Sequence, residues 1–266
     1  MTTDSVNTRE LILEILLEVT ERGQYSHLVI RSVLEKYQYL DKRERAFLTR
    51  VAEGTIQRQI ELDYILDQFS KVKVRKMKPV IRAILRMGVY QLKYMDSVPA
   101  SAVCNEAVKL AQRKGFYNLK PFVNGVLRTI AREIGDLELP SREENEVRYL
   151  SVKYSMPEYL VEKWKAAYGV KTTEKILEDF LTERPITVRC RTHKASLREI
   201  VTSLKSQGVT VEQAPYLPYA LKISDYNHIL TLETFLQGKI LVQDVSSMLV
   251  AEAASPKKGD HIIDMC

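Results

Sequence analysis

The sequence predicts a multidomain chain: all-α in its first half, α+β in its middle, and ending on the first strand and helix of a doubly wound α/β domain. Three observations carry that reading. Between residues 8 and 134 apolar side chains recur every three or four positions, with no strand-like alternation of any length. From residue 186 onward, short alternating segments flank a stretch of helical period. The closing segment GKILVQDVSSMLVAEAASPKKGDHIIDMC compresses strand, helix, turn and strand.

The helices come first. Leu11, Ile15, Leu16 and Val19 make one stripe. Phe47, Val51 and Ile56 begin another, which Leu62, Ile65, Leu66 and Phe69 continue after a break. Pro79 stands in the first turn of PVIRAILRMGVYQLKYM, where its missing N–H has no intrahelical partner to lose. Val80, Ile84, Met87 and Gln91 lie along one side of that helix. SAVCNEAVKLAQRKG ends on a basic turn and a glycine stop at Gly115. KPFVNGVLRTIAREIG opens on Pro121 and repeats Phe122, Val126 and Ile130. About six or seven helices are expected.

After Leu139-Pro140-Ser141, the charged REENE marks a linker or a helix start. Ser155-Met156-Pro157-Glu158 reads as a capping box, and Gly169 ends the helix it opens. Trp164, the single tryptophan, reads as a packing anchor rather than a base-stacking platform. TEKILEDFL then runs to Pro185. In ITVRCRT, Ile186, Val188 and Cys190 alternate with Thr187, Arg189 and Arg191, so Cys190 reads as packing. Arg189 and Arg191 share the polar face, which is either simply solvated or turned toward RNA. A capping box at Ser196–Glu199 opens the next helix, and VTVEQA and YALKIS supply two more strands, an order of split-βαβ type. At the end come the strand Ile240–Val242, a helix near Ser246, a turn at Pro256 and Gly259, and a strand His261–Asp264.

Several function classes drop out. No run of about 18 apolar residues is present, and the N-terminus lacks the marks of a signal peptide. Cys104, Cys190 and Cys266 form neither a disulfide framework nor a zinc pattern, which implies a reducing cytoplasm. The four histidines share no ligand spacing, so no metal is expected. There is no phosphate-binding loop and no serine-nucleophile elbow.

Charge points to an anionic partner. Residues 1–140 hold 23 Lys and Arg against 17 Asp and Glu, whereas 141–266 hold 17 of each, so the whole net charge of +6 belongs to the first half. KVKVRKMKPVIRAILR carries Lys71, Lys73, Arg75, Lys76, Lys78, Arg82 and Arg86 with no acid among them, and DKRERAFLTR adds Lys42, Arg43, Arg45 and Arg50. Such clusters are either a solubilising rim or a phosphate-binding face that displaces counterions. The uninterrupted run tilts the reading toward RNA, although composition does not separate RNA from DNA. The candidate RNA-binding residues are Arg43, Arg45, Arg50, Lys71, Lys73, Arg75, Lys76, Lys78 and Arg82.

LDKRERAFLTRVAEGTIQRQIELDYIL, RAILRMGVYQL, the VP and AVCNEAVKLA that follow, and FVNGVLR resemble the NusB family of helical RNA-binding domains over roughly residues 5–135. They are most similar to the NusB-like domain that opens RsmB (Sun)-type ribosomal-RNA cytosine-5 methyltransferases. YSMPEYLVEKWKAAYG and RPITVRCRTHKAS resemble that family's next blocks, with cysteine at 190 where asparagine is commoner. VQDVSSMLVAEAASPKKGDHIIDMC resembles its approach to a first S-adenosylmethionine motif. The resemblance implies a NusB-like domain over 1–138, linker helices and a small RRM-like α+β domain over 139–236, and the start of a Rossmann-like methyltransferase domain, cut short, over 237–266. It places Asp264 and Cys266 at the cofactor, S-adenosylmethionine. In the family one cysteine adds to cytosine C6, making C5 nucleophilic enough to take the sulfonium methyl, and a second assists product release. Neither position is matched in this chain. The expectation is therefore the recognition part of a cytoplasmic, monomeric enzyme acting on small-subunit rRNA, inactive by itself. The alternative is a stand-alone RNA-binding protein of antitermination type.

Overall fold

The computed structural model describes residues 7–182, 185–226, 228–263 and 265, which form two compact units divided after Thr182. Seven α-helices are described between residues 8 and 133: α1 (Thr8–Thr20), α2 (Ser26–Lys36), α3 (Lys42–Gln57), α4 (Gln59–Phe69), α5 (Pro79–Tyr94), α6 (Ala100–Arg113) and α7 (Lys120–Glu133). The periodic residues turn inward as their spacing requires: Leu11, Ile15, Leu16, Val51, Leu62, Ile65, Leu66, Ile84, Met87, Val126 and Ile130 are all buried in one apolar cluster. α5 is the hub and packs against α1, α3, α4, α6 and α7. A helix surrounded in this way must be apolar nearly all round. Accordingly every residue from Ala83 to Gln91 on it is buried.

The first unit continues through α8 (Glu146–Tyr154), which packs on α4, and α9 (Glu158–Phe180), which packs on α8. Gly169, at φ 73°, breaks α9 where the sequence predicts a helix end. Trp164 and Phe180 would stand about 24 Å apart on a straight helix. Their rings instead stack 5.7 Å apart at 8°, so the second half of α9 folds back on the first. Trp164 packs with Leu150, Tyr154, Val161 and Leu177, an anchor as expected.

Ser155 departs from expectation. It does not cap α9, whose N-terminus has Pro157 in the capping position and no side-chain cap. It closes α8 in the left-handed region at φ 52°. From there its Oγ accepts the N–H groups of Ile60 at 3.0 Å and Glu61 at 3.5 Å. These are orphan donors in the first turn of α4, which no residue of its own caps. The serine at 155 thus serves a helix some 95 residues upstream, a role invisible to local pattern.

The second unit is one four-stranded antiparallel sheet in the order β2-β3-β1-β4, built from β1 (Ile186–Cys190), β2 (Thr210–Gln213), β3 (Ala220–Ser224) and β4 (Ile240–Val242). β3 lies between β1 and β2, and α10 (Leu197–Ser206) connects those two strands, the predicted split βαβ. Ser196 and Glu199 form the predicted capping box of α10. Val188, Cys190, Leu221, Ile223 and Ile240 make the inner face and pack with Ile200 and Leu204 of α10 and Leu232 before α11 (Glu233–Leu236). α12 (Val245–Ala254) buries Met248 with Ala214, Leu217 and Ala220.

The end of the chain differs from the expected opening of a doubly wound domain. β4 does not begin a new sheet: Val188, Arg189 and Cys190 pair with Val242, Leu241 and Ile240. The free edge of β1 offered its ladder partners to the nearest extended segment. Residues 261–263 form no strand, and Ile262 and Ile263 are exposed, because no ladder partner faces them among the described residues. A disordered or misdocked segment from 240 onward would fit neither the paired β4 nor the buried Met248.

Candidate nucleic-acid interface

The basic segment between α4 and α5 is held rigidly by its apolar members. Val74 and Met77 are buried on either side of a 3-10 turn over Val74–Lys76. Asp67 Oδ1 accepts the Val74 N–H at 2.7 Å, and Ser70 Oγ accepts the N–H of Val72 at 3.1 Å. With those positions pinned, Lys71, Lys73, Arg75, Lys76 and Lys78 all point to solvent. Lys78 stands directly before Pro79 of α5, whose first turn has no side-chain cap, so its free N–H groups add positive potential there.

The structure sorts the nine candidates by what they already hold. Arg45 donates to the Leu34 carbonyl at 3.1 Å, in the last turn of α2. Arg50 donates to the Tyr94 carbonyl at 3.2 Å, the end of α5. Lys73 donates to the Asp67 carbonyl at 3.0 Å, near the end of α4. All three satisfy helix-terminal carbonyls that would otherwise lack a partner. Arg82 pairs with Glu21 at 2.6 Å, and its guanidinium holds that carboxyl below the usual range. Arg43, Lys71, Arg75, Lys76 and Lys78 remain exposed, with no ion pair among the described residues. Four of these five belong to the one pinned segment.

Arg86 is not available at all. It is buried and grips Asp63 with two hydrogen bonds of 2.6 and 2.7 Å. Nearby, buried Glu61 accepts from Lys93 Nζ at 2.6 Å and from Tyr94 Oη at 2.5 Å. Burial, then the Glu61 carboxylate, raises the Tyr94 hydroxyl far above its ordinary value. A cleft of about 310 Å³ beside α4 includes Asp63 and Asp67 in its lining, but both carboxylates are taken as described. Among the described residues no group of three or more His, Cys, Asp or Glu is placed to hold a metal ion, and no helix is long and apolar enough to cross a membrane.

Neither described cysteine is a nucleophile. Cys104 and Cys190 are buried. Desolvation raises both thiols, that of Cys190 to about 11. Cys190 is packing, as its alternation predicts. The expected cofactor residues Asp264 and Cys266 lie outside the described residues. The described residues just before them, 255–263, are exposed.

Comparison with known proteins adds what geometry leaves open. Residues 6–132 match the NusB family, and residues 156–229 match the ferredoxin-like domain described as Methyltr_RsmF/B-like. A Bacillus subtilis protein named "Probable ribosomal RNA small subunit methyltransferase B" is 36% identical over 98% of this chain and 57% of its own length. A Synechocystis protein of the same name is 32% identical over 98% of this chain and 58% of its own length. The chain therefore carries a NusB domain followed by an RsmF/B-type ferredoxin-like domain, and over 98% of its length it is similar to proteins named ribosomal RNA small subunit methyltransferase B. It spans somewhat under three fifths of the length of those two relatives. The crystal structure of PH0851 superposes with a TM-score of 0.68 over 96% of this chain and 57% of that one, at 23% identity, and thus shares the fold.

Proposed function

We propose that this chain is the RNA-recognition part of a cytoplasmic enzyme that transfers a methyl group from S-adenosylmethionine to C5 of a cytosine in small-subunit rRNA. In that reading residues 1–138 are the RNA-binding domain, 139–236 the linker and small domain, and 237–266 the approach to the methyl-donor domain. Folding units and functional parts do not share boundaries, since α8 and α9 fold with the helical bundle and β4 folds into the small sheet. The observation that carries the reading is the pinned basic segment. Lys71, Arg75, Lys76 and Lys78 are preorganised and have no acid to neutralise them, as a phosphate-binding face requires. Asp264 and Cys266 would adjoin the cofactor. Arg45, Arg50, Lys73 and Arg82 would assist only indirectly, because each already has a partner.

Chemistry is assigned elsewhere than to the described residues, because a cysteine adding to cytosine C6 must be a reachable thiolate. Buried Cys104 and Cys190 are neither. The chain by itself is expected to bind RNA as a monomer without methylating it.

The test compares this chain with one extended through the remaining length of its relatives, on unmodified small-subunit rRNA at two salt concentrations. Both chains should bind, only the extended one should methylate, and K71Q/R75Q/K76Q/K78Q should lower the salt dependence of binding in both. Failure of the extended chain to methylate while the short chain still binds would replace this reading with a stand-alone RNA-binding role.

A further inference from the structure

The outer face of the small sheet gathers cations that no carboxylate pairs among the described residues. Residues directly opposite in an antiparallel ladder share a face. Arg189 lies opposite Leu241 and Ala220, and Thr187 opposite Lys222, so this face is the reverse of the one packed by Val188 and Cys190. α12 covers part of it at Ala220. The remainder is a cleft of about 310 Å³ lined by Arg189, Arg191, Thr192, His193, Tyr219 and Leu241.

At its edge Arg191 and Lys194 converge on Gly238, which has φ +62°. A β-carbon there would lie 3.1 Å from Lys194 Nζ and 3.7 Å from Arg191 Nη1. The two cationic nitrogens are therefore no more than about 7 Å apart, where like charges repel appreciably unless an anion sits between them. Lys239 follows in sequence, and its carbonyl accepts the Arg191 N–H at 2.8 Å. Across the cleft the Arg189 guanidinium lies 5.4 Å from the centre of the Tyr219 ring. Tyr219 Oη donates to Glu252 at 2.5 Å, which fixes the ring and occupies that carboxylate.

We propose that this cleft binds the phosphodiester backbone of single-stranded RNA. Resting on the RNA reading above, it adds a second contact on a different folding unit. Positive charge beside an aromatic plate is the combination that strands with unstacked bases take. The cleft is at the small end of ligand-binding volumes, fit for one residue of a strand and not for a duplex. Arg191 and Lys194 would hold phosphate oxygens, and Arg189 with Tyr219 would seat the adjoining ribose or base.

The experiment measures binding of the whole chain to a single-stranded RNA oligonucleotide across a salt series, with 4-thiouridine for photocrosslinking. R189Q/R191Q/K194Q should reduce the slope of log K against log salt by about 2, at roughly 0.7 for each cation lost. Crosslinks to the peptide holding Tyr219 should vanish with it. Charge-retaining R189K/R191K should keep most of the slope, which separates lost charge from lost folding. An unchanged slope in the triple variant, with wild-type binding still lowered by K71Q/R75Q/K76Q/K78Q, overturns this site and leaves the RNA reading standing. Absence of RNA binding by the wild-type chain overturns both. An equal effect on duplex RNA, or displacement of the oligonucleotide by millimolar inorganic phosphate alone, overturns the single-strand assignment.

Discussion

The helical unit and the sheet unit differ in how far they pair their half-buried arginines with acids. In the helical unit three arginines near the core hold a carboxylate: Arg86 with Asp63, Arg58 with Glu61 and Arg82 with Glu21, whereas half-buried Arg9 lies over the Phe47 ring and Arg45 donates to the Leu34 carbonyl. Four of its exposed cations without an ion pair among the described residues, Lys71, Arg75, Lys76 and Lys78, stand on one short segment. In the sheet unit, half-buried Arg189 and Arg191 touch an aromatic ring and a carbonyl but no acid. Burying a charge against its counter-charge serves the fold, whereas leaving it half-buried without one costs stability and serves an external anion. Under the proposals above, identical residue types would split into structural and binding roles according to what lies within 4 Å.

The largest expected effect breaks the structural half of that contrast. Asp63→Ala strands the Arg86 guanidinium, whose side chain is only 8% exposed. Removing one partner of a buried pair costs about 3–5 kcal/mol. Urea unfolding followed by the fluorescence of Trp164, the single tryptophan and a member of this unit, should show the midpoint fall accordingly. A loss below about 1 kcal/mol would mean that water reaches Arg86 and that the pair belongs to the surface.

Next is a pH dependence confined to the sheet unit. Burial raises the Cys190 thiol from 9.0 to about 11. The folded state keeps the proton to higher pH than the unfolded chain does. The resulting stabilisation is complete below pH 9 and is lost as pH rises through 11, on the order of 2 kcal/mol in all. Cys190→Ala should flatten the stability profile of the sheet unit between those values, measured by amide hydrogen exchange at its core strands. A profile as steep in the variant as in the wild type would assign the loss to other groups.

How much of this was legible in sequence follows from the range of each interaction. Six of the seven helices of the bundle, the Gly169 break and the split βαβ all rest on periodicity or on residues within a few positions and were readable, whereas α2, with Ile30 its one buried residue, showed no stripe to read. Ser155 was misread because its capping signature is local while its actual partners, Ile60 and Glu61, are distant in the chain. β4 was placed with a following domain because strand pairing is non-local, and a three-residue strand carries no mark of its neighbour. Among the nine basic candidates the sequence could count charges but could not see that Arg45, Arg50 and Lys73 close helix ends. Arg189 and Arg191 were visible as a polar face. Their convergence with Lys194 and Tyr219 depends on turns and on β3, which only the fold brings together.

The Ser155 finding gives a smaller effect with a sharp location. Ser155→Ala removes the hydroxyl that accepts from α4, and loss of such a cap costs about 1 kcal/mol. Because Ser155 itself sits at φ 52°, alanine there also carries some left-handed strain, whereas Ser155→Asn keeps an acceptor and tolerates the conformation. Asparagine should therefore recover much of what alanine loses. Exchange protection should drop first at the amides of Ile60 and Glu61 and not at the start of α9. The opposite order would restore the local capping box to α9.

The smallest expected change in stability comes from the residues that matter most to the binding half of the contrast. K71Q/R75Q/K76Q/K78Q removes four exposed cations that make no ion pair. Substitutions of that kind shift stability by no more than about 0.5 kcal/mol each way, and relief of mutual repulsion can make the sum slightly favourable. Val74 and Met77, which pin the segment, are untouched. The urea midpoint should therefore stay near the wild-type value while the salt dependence of RNA binding falls. A large loss of stability would show that the four cations hold the loop together, and their weak binding would then report unfolding instead of lost phosphate contacts. An unchanged salt dependence at full stability would identify the segment as a solubilising rim and leave the sheet cleft as the remaining electrostatic contact.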